Sequence, residues 1–178
     1  MTDIQPPDLE TRIAILRKKV ASQRLTAGTQ VMELIAGRIT TNIRELEGAL
    51  TRIAALASLD QQEITPELAI EVLDSLMPEG EVQVDAQSIM EATSEYFNIS
   101  IDDLTGTSRV ANIAMPRHIA IYLCRELTEL SLPKIGAKFG GRDHSTVLNS
   151  VRRVTERISE DRSLFTQVTE LTNKIKQS

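Results

Sequence analysis

Apolar positions in the first half of the chain recur at helical spacing. Ile13, Leu16 and Val20 stand three and four apart behind Asp8, a good N-cap, which predicts a helix from Leu9 to about Arg24. A second helical segment is expected from near Thr29 to Arg38. The third begins at Thr41 or Asn42, where Ile43, Leu46, Leu50, Ile53 and Leu56 form one apolar stripe. Thr65-Pro66 opens the fourth as a cap followed by proline at the first helical position, ahead of Leu68, Ile70, Val72, Leu73 and Leu76. Four such helices suffice for a small bundle.

Met77 to Glu81 is the one break that combines proline, glycine and charge, so the domain boundary is placed there, with residues 1–78 before it and a linker over 79–84. A second helical unit over 85–178 follows. Its expected parts are a helix from Asp85 to Phe97, a short turn around Ile101 to Leu104, and a helix from Ala111 or Asn112 to Leu130. A last helix is expected from about Asp161 to Lys176. Between them lies the most informative stretch. Ser131 to Phe139 reads as a short helix with Pro133 early in it; Gly140 and Gly141 permit a tight turn; Asp143 caps a long amphipathic run ending near Arg157. Short helix, glycine turn and long helix with polar residues His144, Ser145 and Thr146 at its start make a helix-turn-helix, whose second helix reads the DNA major groove. No convincing β-alternation interrupts this pattern, and the fold class is all-α.

Composition sharpens the picture. Aromatic residues are 3% and tryptophan is absent, so both cores must be aliphatic. No apolar stretch near ~20 residues escapes interruption by charge, so no transmembrane span is expected. With no charged-then-apolar leader and a single cysteine, Cys124, set among apolar neighbours, a cytoplasmic location is expected. The net charge of −5 argues against nucleic acid if read globally, but its distribution reverses that. Met1 to Gly80 carries eight basic and twelve acidic residues, whereas Ser131 to Arg157 carries six basic residues against Asp143 and Glu156. Phosphate attraction is a local field effect, so this basic stripe is the relevant footprint.

Catalytic readings fail. Asp143, His144 and Ser145 are the residue types of a hydrolase triad, but neighbours on a helix point in different directions and cannot form a relay. Gly136 to Asp143 is a near miss for a phosphate-binding loop, because Arg142 and Asp143 stand where lysine and Ser/Thr are required and no strand precedes it. His118, His144 and Cys124 offer no metal-ligand cluster. No catalytic or metal site is expected.

The run from Gly140 to Val147, preceded by Leu130 to Gly136 and Arg125 to Leu130, closely resembles the signature of the DnaA family of bacterial chromosomal replication initiators. Gln5 to Arg12 and Thr41 to Leu50 are similar to segments leading into and forming the lid of that family's AAA+ ATPase module. The resemblance implies a helical AAA+ lid followed by a helix-turn-helix domain that binds double-stranded DNA at origin boxes in the nucleoid. It also implies, as partners, the AAA+ core absent from this chain and other initiator protomers. ATP with Mg is implied for the complete protein and no cofactor for this chain alone, which is not expected to be an enzyme.

By the same resemblance, Asp143, His144 and Ser145 meet base edges in the major groove, and Pro133 packs on a thymine methyl. Asp is chemically suited to the amino groups of cytosine and adenine. Arg109 matches the arginine that enters the adjacent minor groove. Arg117, Arg125, Leu132 through its backbone, Lys134, Arg142 and Thr146 are implied near phosphates, and Arg44 is implied to be the second sensor arginine touching nucleotide phosphates. From its surroundings alone, Arg44 reads as a surface partner for Glu45 or Glu47. Two departures stand out: the loop from Thr107 to Arg117 holds only two arginines where the family is strongly basic, and Ser145 stands where threonine is frequent. The alternatives are a helix-turn-helix transcription regulator, which would favour a dimer and a palindrome, and the lid part of an AAA+ ATPase.

Overall fold

The structure, a computed structural model, describes residues 7–40, 42–76 and 84–177. The described residues form ten helices and no strand, divided into two compact units, Met1–Met77 and Pro78–Ser178. Residues 79–83 of the expected linker, and Thr41 as a possible helix start, lie outside the described residues.

In the first unit, α1 (Leu9–Ser22), α2 (Thr29–Arg38), α3 (Ile43–Leu59) and α4 (Pro66–Leu76) enclose an aliphatic core. Asp8 caps α1 by accepting from the Thr11 N–H at 2.8 Å, and Asn42 caps α3 from the Arg44 N–H at 2.8 Å. Leu16, Val31, Ile35, Leu46, Leu50, Ile53, Val72 and Leu73 are buried together. Arg12 ties α1 to the end of α2, donating from Nε to the Ala36 carbonyl at 2.8 Å. The expected stripes are trimmed at two positions. Ile43 and Ile70 are exposed, because Ile43 opens the first turn of α3 and Ile70 lies between the buried Ala69 and Val72 on the outer face of α4.

The second unit contains α5 (Ala86–Phe97), α6 (Ile101–Thr105), α7 (Ala111–Leu127), α8 (Leu132–Lys138), α9 (His144–Arg157) and α10 (Arg162–Gln177). Helix α7 is the hub, packing against α5, α6, α8 and α9, while α10 packs on α5. Asp85 and Ser88 form a reciprocal capping box at the start of α5. Lys174 meets Glu95 at 3.3 Å and the Tyr96 hydroxyl donates to Glu170 at 2.5 Å, pinning α10 to α5. Ile89, Leu104, Ile119, Leu123, Ile135, Phe139, Val147, Val154 and Leu171 are buried. Burial, aided by the Asp85 charge, pushes the Cys124 thiol up to about 12, as suits a packed side chain.

Two elements differ from expectation. The stretch at Ile101–Thr105 is a one-turn helix, because Ser100 caps the Asp103 N–H at 3.0 Å and Asp102 and Asp103 favour a helix start. Helix α7 stops at Leu127 instead of Leu130. The Thr128 hydroxyl and N–H both donate to the Cys124 carbonyl, at 2.5 and 3.2 Å, and its backbone turns extended.

Candidate nucleic-acid interface

The site is built on the α8–turn–α9 hairpin. Ser131 caps α8, and Pro133 sits in the first turn where a missing N–H is harmless. The Gly136 carbonyl then accepts from the N–H groups of Phe139, Gly141 and Arg142 at 3.2, 3.0 and 2.9 Å, folding the turn back on the helix. Gly140 and Gly141 take φ of 82° and 77°, the left-handed region that the paired glycines anticipate. Asp143 opens α9: its Oδ1 accepts from both the N–H and the hydroxyl of Thr146 at 2.9 Å. These bonds, the backbone one foremost, hold its carboxyl below the usual range and keep it ionised. Asp143, His144, Ser145 and Thr146 are all exposed at the helix tip.

Beside that tip lies a cleft of about 530 Å³ bordered by Arg109, Arg117, Arg142, Thr146 and Arg153 together with His118. Its arginines are not equivalent. Arg117, only 5% exposed, donates from Nε, Nη1 and Nη2 to the carbonyls of Leu104, Ser108 and Asp103 at 2.8, 2.7 and 2.7 Å. Arg142 bonds the carbonyls of Phe139 and Gly106. Burial lowers both guanidinium pKa values, Arg142 adding to the effect on Arg117. Arg109 and Arg153, in contrast, are exposed.

The family model described as the bacterial DnaA protein helix-turn-helix matches residues 86–154. Over 178 residues, 99% of this chain, the sequence is 58% identical to the chromosomal replication initiator protein DnaA of Cutibacterium acnes (strain DSM 16379 / KPA171202). The chain is thus similar to DnaA over nearly its whole length, and residues 86–154 match that family's helix-turn-helix. It spans 36% of the length of that DnaA relative. Among solved structures, a DNA replication initiation factor is 24% identical, with a TM-score of 0.46 over 96% of this chain and 48% of that one. AMPPCP-bound DnaA from Aquifex aeolicus is also 24% identical, with a TM-score of 0.43 over 97% and 48%.

The residues expected to contact DNA fall into three groups on and beside this DnaA-type hairpin. Asp143, His144, Ser145 and Thr146 cluster at the tip of α9, and exposed Pro133 and Lys134 lie in the first turn of α8 beside the half-buried Leu132. Arg109, Arg117 and Arg142 line the cleft with Thr146. Arg125 stands near the end of α7, with Nη1 3.5 Å from the Leu130 carbonyl. Arg44 belongs to the other unit, in the first turn of α3. His118, Ser150 and Arg153 were absent from the expected set, although Thr146, Ser150 and Arg153 are spaced four and three apart, one face of a single helix.

His118 carries a measurable signature. Its Nδ1 lies 2.8 Å from the Ser150 hydroxyl, and burial, with Arg153, Arg117 and Arg142 adding repulsion, lowers its pKa from 6.5 to about 4. A depressed native value means that the unfolded chain binds more protons between those values. Stability is therefore full above about pH 6.5 and falls as pH drops toward 4. Urea unfolding at pH 7 and pH 5 should show His118→Gln losing less stability on acidification than the parent, by on the order of 1–2 kcal/mol.

Proposed function

We propose that the 85–178 unit binds a specific duplex DNA sequence at the chromosomal replication origin, as the C-terminal portion of a replication initiator. The observation that carries this reading is the exposed, ionised Asp143 with His144 and Ser145 at the tip of a capped helix, beside a cleft of arginines. In this reading Asp143, His144 and Ser145 read base edges in the major groove, Pro133 contacts a thymine methyl, and Arg109 enters the minor groove. Lys134, Thr146, Arg125 and the Leu132 backbone lie along phosphates, and the cations of Arg117 and Arg142 add to the field there. A chromosome-binding role places the protein at the nucleoid.

Residues 1–78 are proposed as the lid-like subdomain, joined through the linker at 79–84. ATP with Mg belongs to the complete protein in this reading. The sequence supplies no phosphate-binding loop, and Arg44 is the one residue offered toward nucleotide, through the AAA+ core that this chain does not include. Other initiator protomers on the origin are the expected partners of the assembled protein. Among the described residues, no helix is long and apolar enough to cross a membrane, and no three His, Cys, Asp or Glu side chains gather as a metal cluster.

The test is direct. A fragment from Val84 to Ser178 should fold and bind duplex DNA recovered from a random-sequence selection, with affinity falling steeply as salt rises because Lys and Arg displace counterions. A helical fragment that binds no duplex at low salt would falsify the reading.

A further inference from the structure

We infer that Arg117 and Arg142 are positioning residues that hold the loop carrying Arg109 in fixed register with the recognition helix α9. The inference rests on the proposed reading only for what Arg109 does once it is positioned. The loop between α6 and α7 starts at Gly106 and ends at Val110, which is 60% exposed. Left to itself, such a loop would sample many conformations and lose that freedom on meeting DNA.

Two guanidinium groups hold it instead. Arg117 reaches from α7 to the carbonyls of Asp103, Leu104 and Ser108 on the loop and its preceding helix, all at 2.7–2.8 Å. The first two belong to the end of α6, where carbonyls lack the N–H of a following helical turn; the Asp103 carbonyl also accepts from the Gly106 N–H at 3.3 Å, and Arg117 completes the cap from its side chain. Arg142, in the turn before α9, reaches across to the Gly106 carbonyl while also bonding Phe139 within its own hairpin. The hairpin and the end of α6 also touch without a side chain between them: a Cβ added to Gly140 would stand 2.2 Å from the Thr105 carbonyl oxygen. The same turn that aims α9 thus anchors the base of the loop.

A lysine keeps the cation at either position but lacks the planar fork that bridges several carbonyls at once. That separates positioning from phosphate binding. In free protein, Arg117→Lys should make trypsin cut after Arg109 about tenfold faster, with the urea midpoint little changed, because local opening governs such cleavage. Should Arg117→Lys unfold, Arg142→Lys carries the same test through the Gly106 bond. Unchanged cleavage in a folded variant would overturn the proposal, whatever happens with DNA.

On the selected duplex, Arg117→Lys should weaken the full chain about tenfold, yet by less than about twofold when Arg109 is already alanine. In a His144→Ala background the tenfold loss should persist. A loss equal on selected and scrambled duplexes, and undiminished by Arg109→Ala, would make Arg117 a phosphate ligand and overturn positioning. If Arg109→Ala alone leaves binding intact, the minor-groove reading fails, while the cleavage rate still decides whether the loop is held.

Discussion

Replacing Gly136 with alanine is expected to destabilise the second unit by about 3 kcal/mol and to remove duplex binding. Inside an ordinary helix the same change stabilises, since glycine costs roughly 0.5–1 kcal/mol relative to alanine. Here the sign reverses. A Cβ at Gly136 would stand 1.9 Å from the Arg142 carbonyl oxygen and 2.9 Å from its carbon, with the Val147 side chain at 3.3 Å. The backbone of Arg142 cannot retreat, because its N–H is held by the Gly136 carbonyl at 2.9 Å and α9 begins two residues later. Relief requires moving the recognition helix away from α8. Urea denaturation and duplex titration of the variant check this; parent-like stability would mean that the hairpin is looser than its geometry.

The second large effect separates sequence reading from positioning on DNA. His144→Ala should weaken binding to the selected duplex by roughly 1–3 kcal/mol and leave a scrambled duplex almost unaffected, since only the right sequence supplies a base partner. Lys134→Ala should weaken both alike and reduce the salt slope by about one unit. Asp143 needs a gentler change, because alanine would also remove the cap that holds the Thr146 N–H at 2.9 Å. Asn retains a capping oxygen and alters only the charge and the donor–acceptor pattern. Asp143→Asn should therefore keep helicity while shifting preference at one base pair. Equal weakening of both duplexes by His144→Ala and Asp143→Asn would remove the α9 tip from base readout.

Local chemistry made the helical architecture legible. Asp8 and Asp143, read as caps, each accept from the helix start that they precede and located α1 and α9 closely; Asn42, Asp85 and Ser131, expected as the first residues of their helices, cap α3, α5 and α8 in the same way. The paired glycines likewise disclosed the turn. Where competition between side chain and backbone decided the outcome, the pattern misled: Thr128 ended α7 early, and Ser100 drew a bend into a helical turn. The cleft was only half legible. Charge counting located the basic stripe, but it could not distinguish Arg117 and Arg142, bound into carbonyls, from the exposed Arg109 and Arg153. Those carbonyls come from residues up to 36 positions away, which no periodicity reports.

One carboxylate at position 143 both closes the first turn of α9 and stands at its tip. With base readout by Asp143 as proposed, folding restricts the alphabet available for recognition. Of the side chains that could face a base pair there, only the small acceptors Asp, Asn, Ser and Thr also cap a helix well. A new preference at that base pair is accessible in one step only within this set, whereas position 144, free of the capping duty, is open to wider exchange. Drift in DNA preference should accordingly run through His144 first.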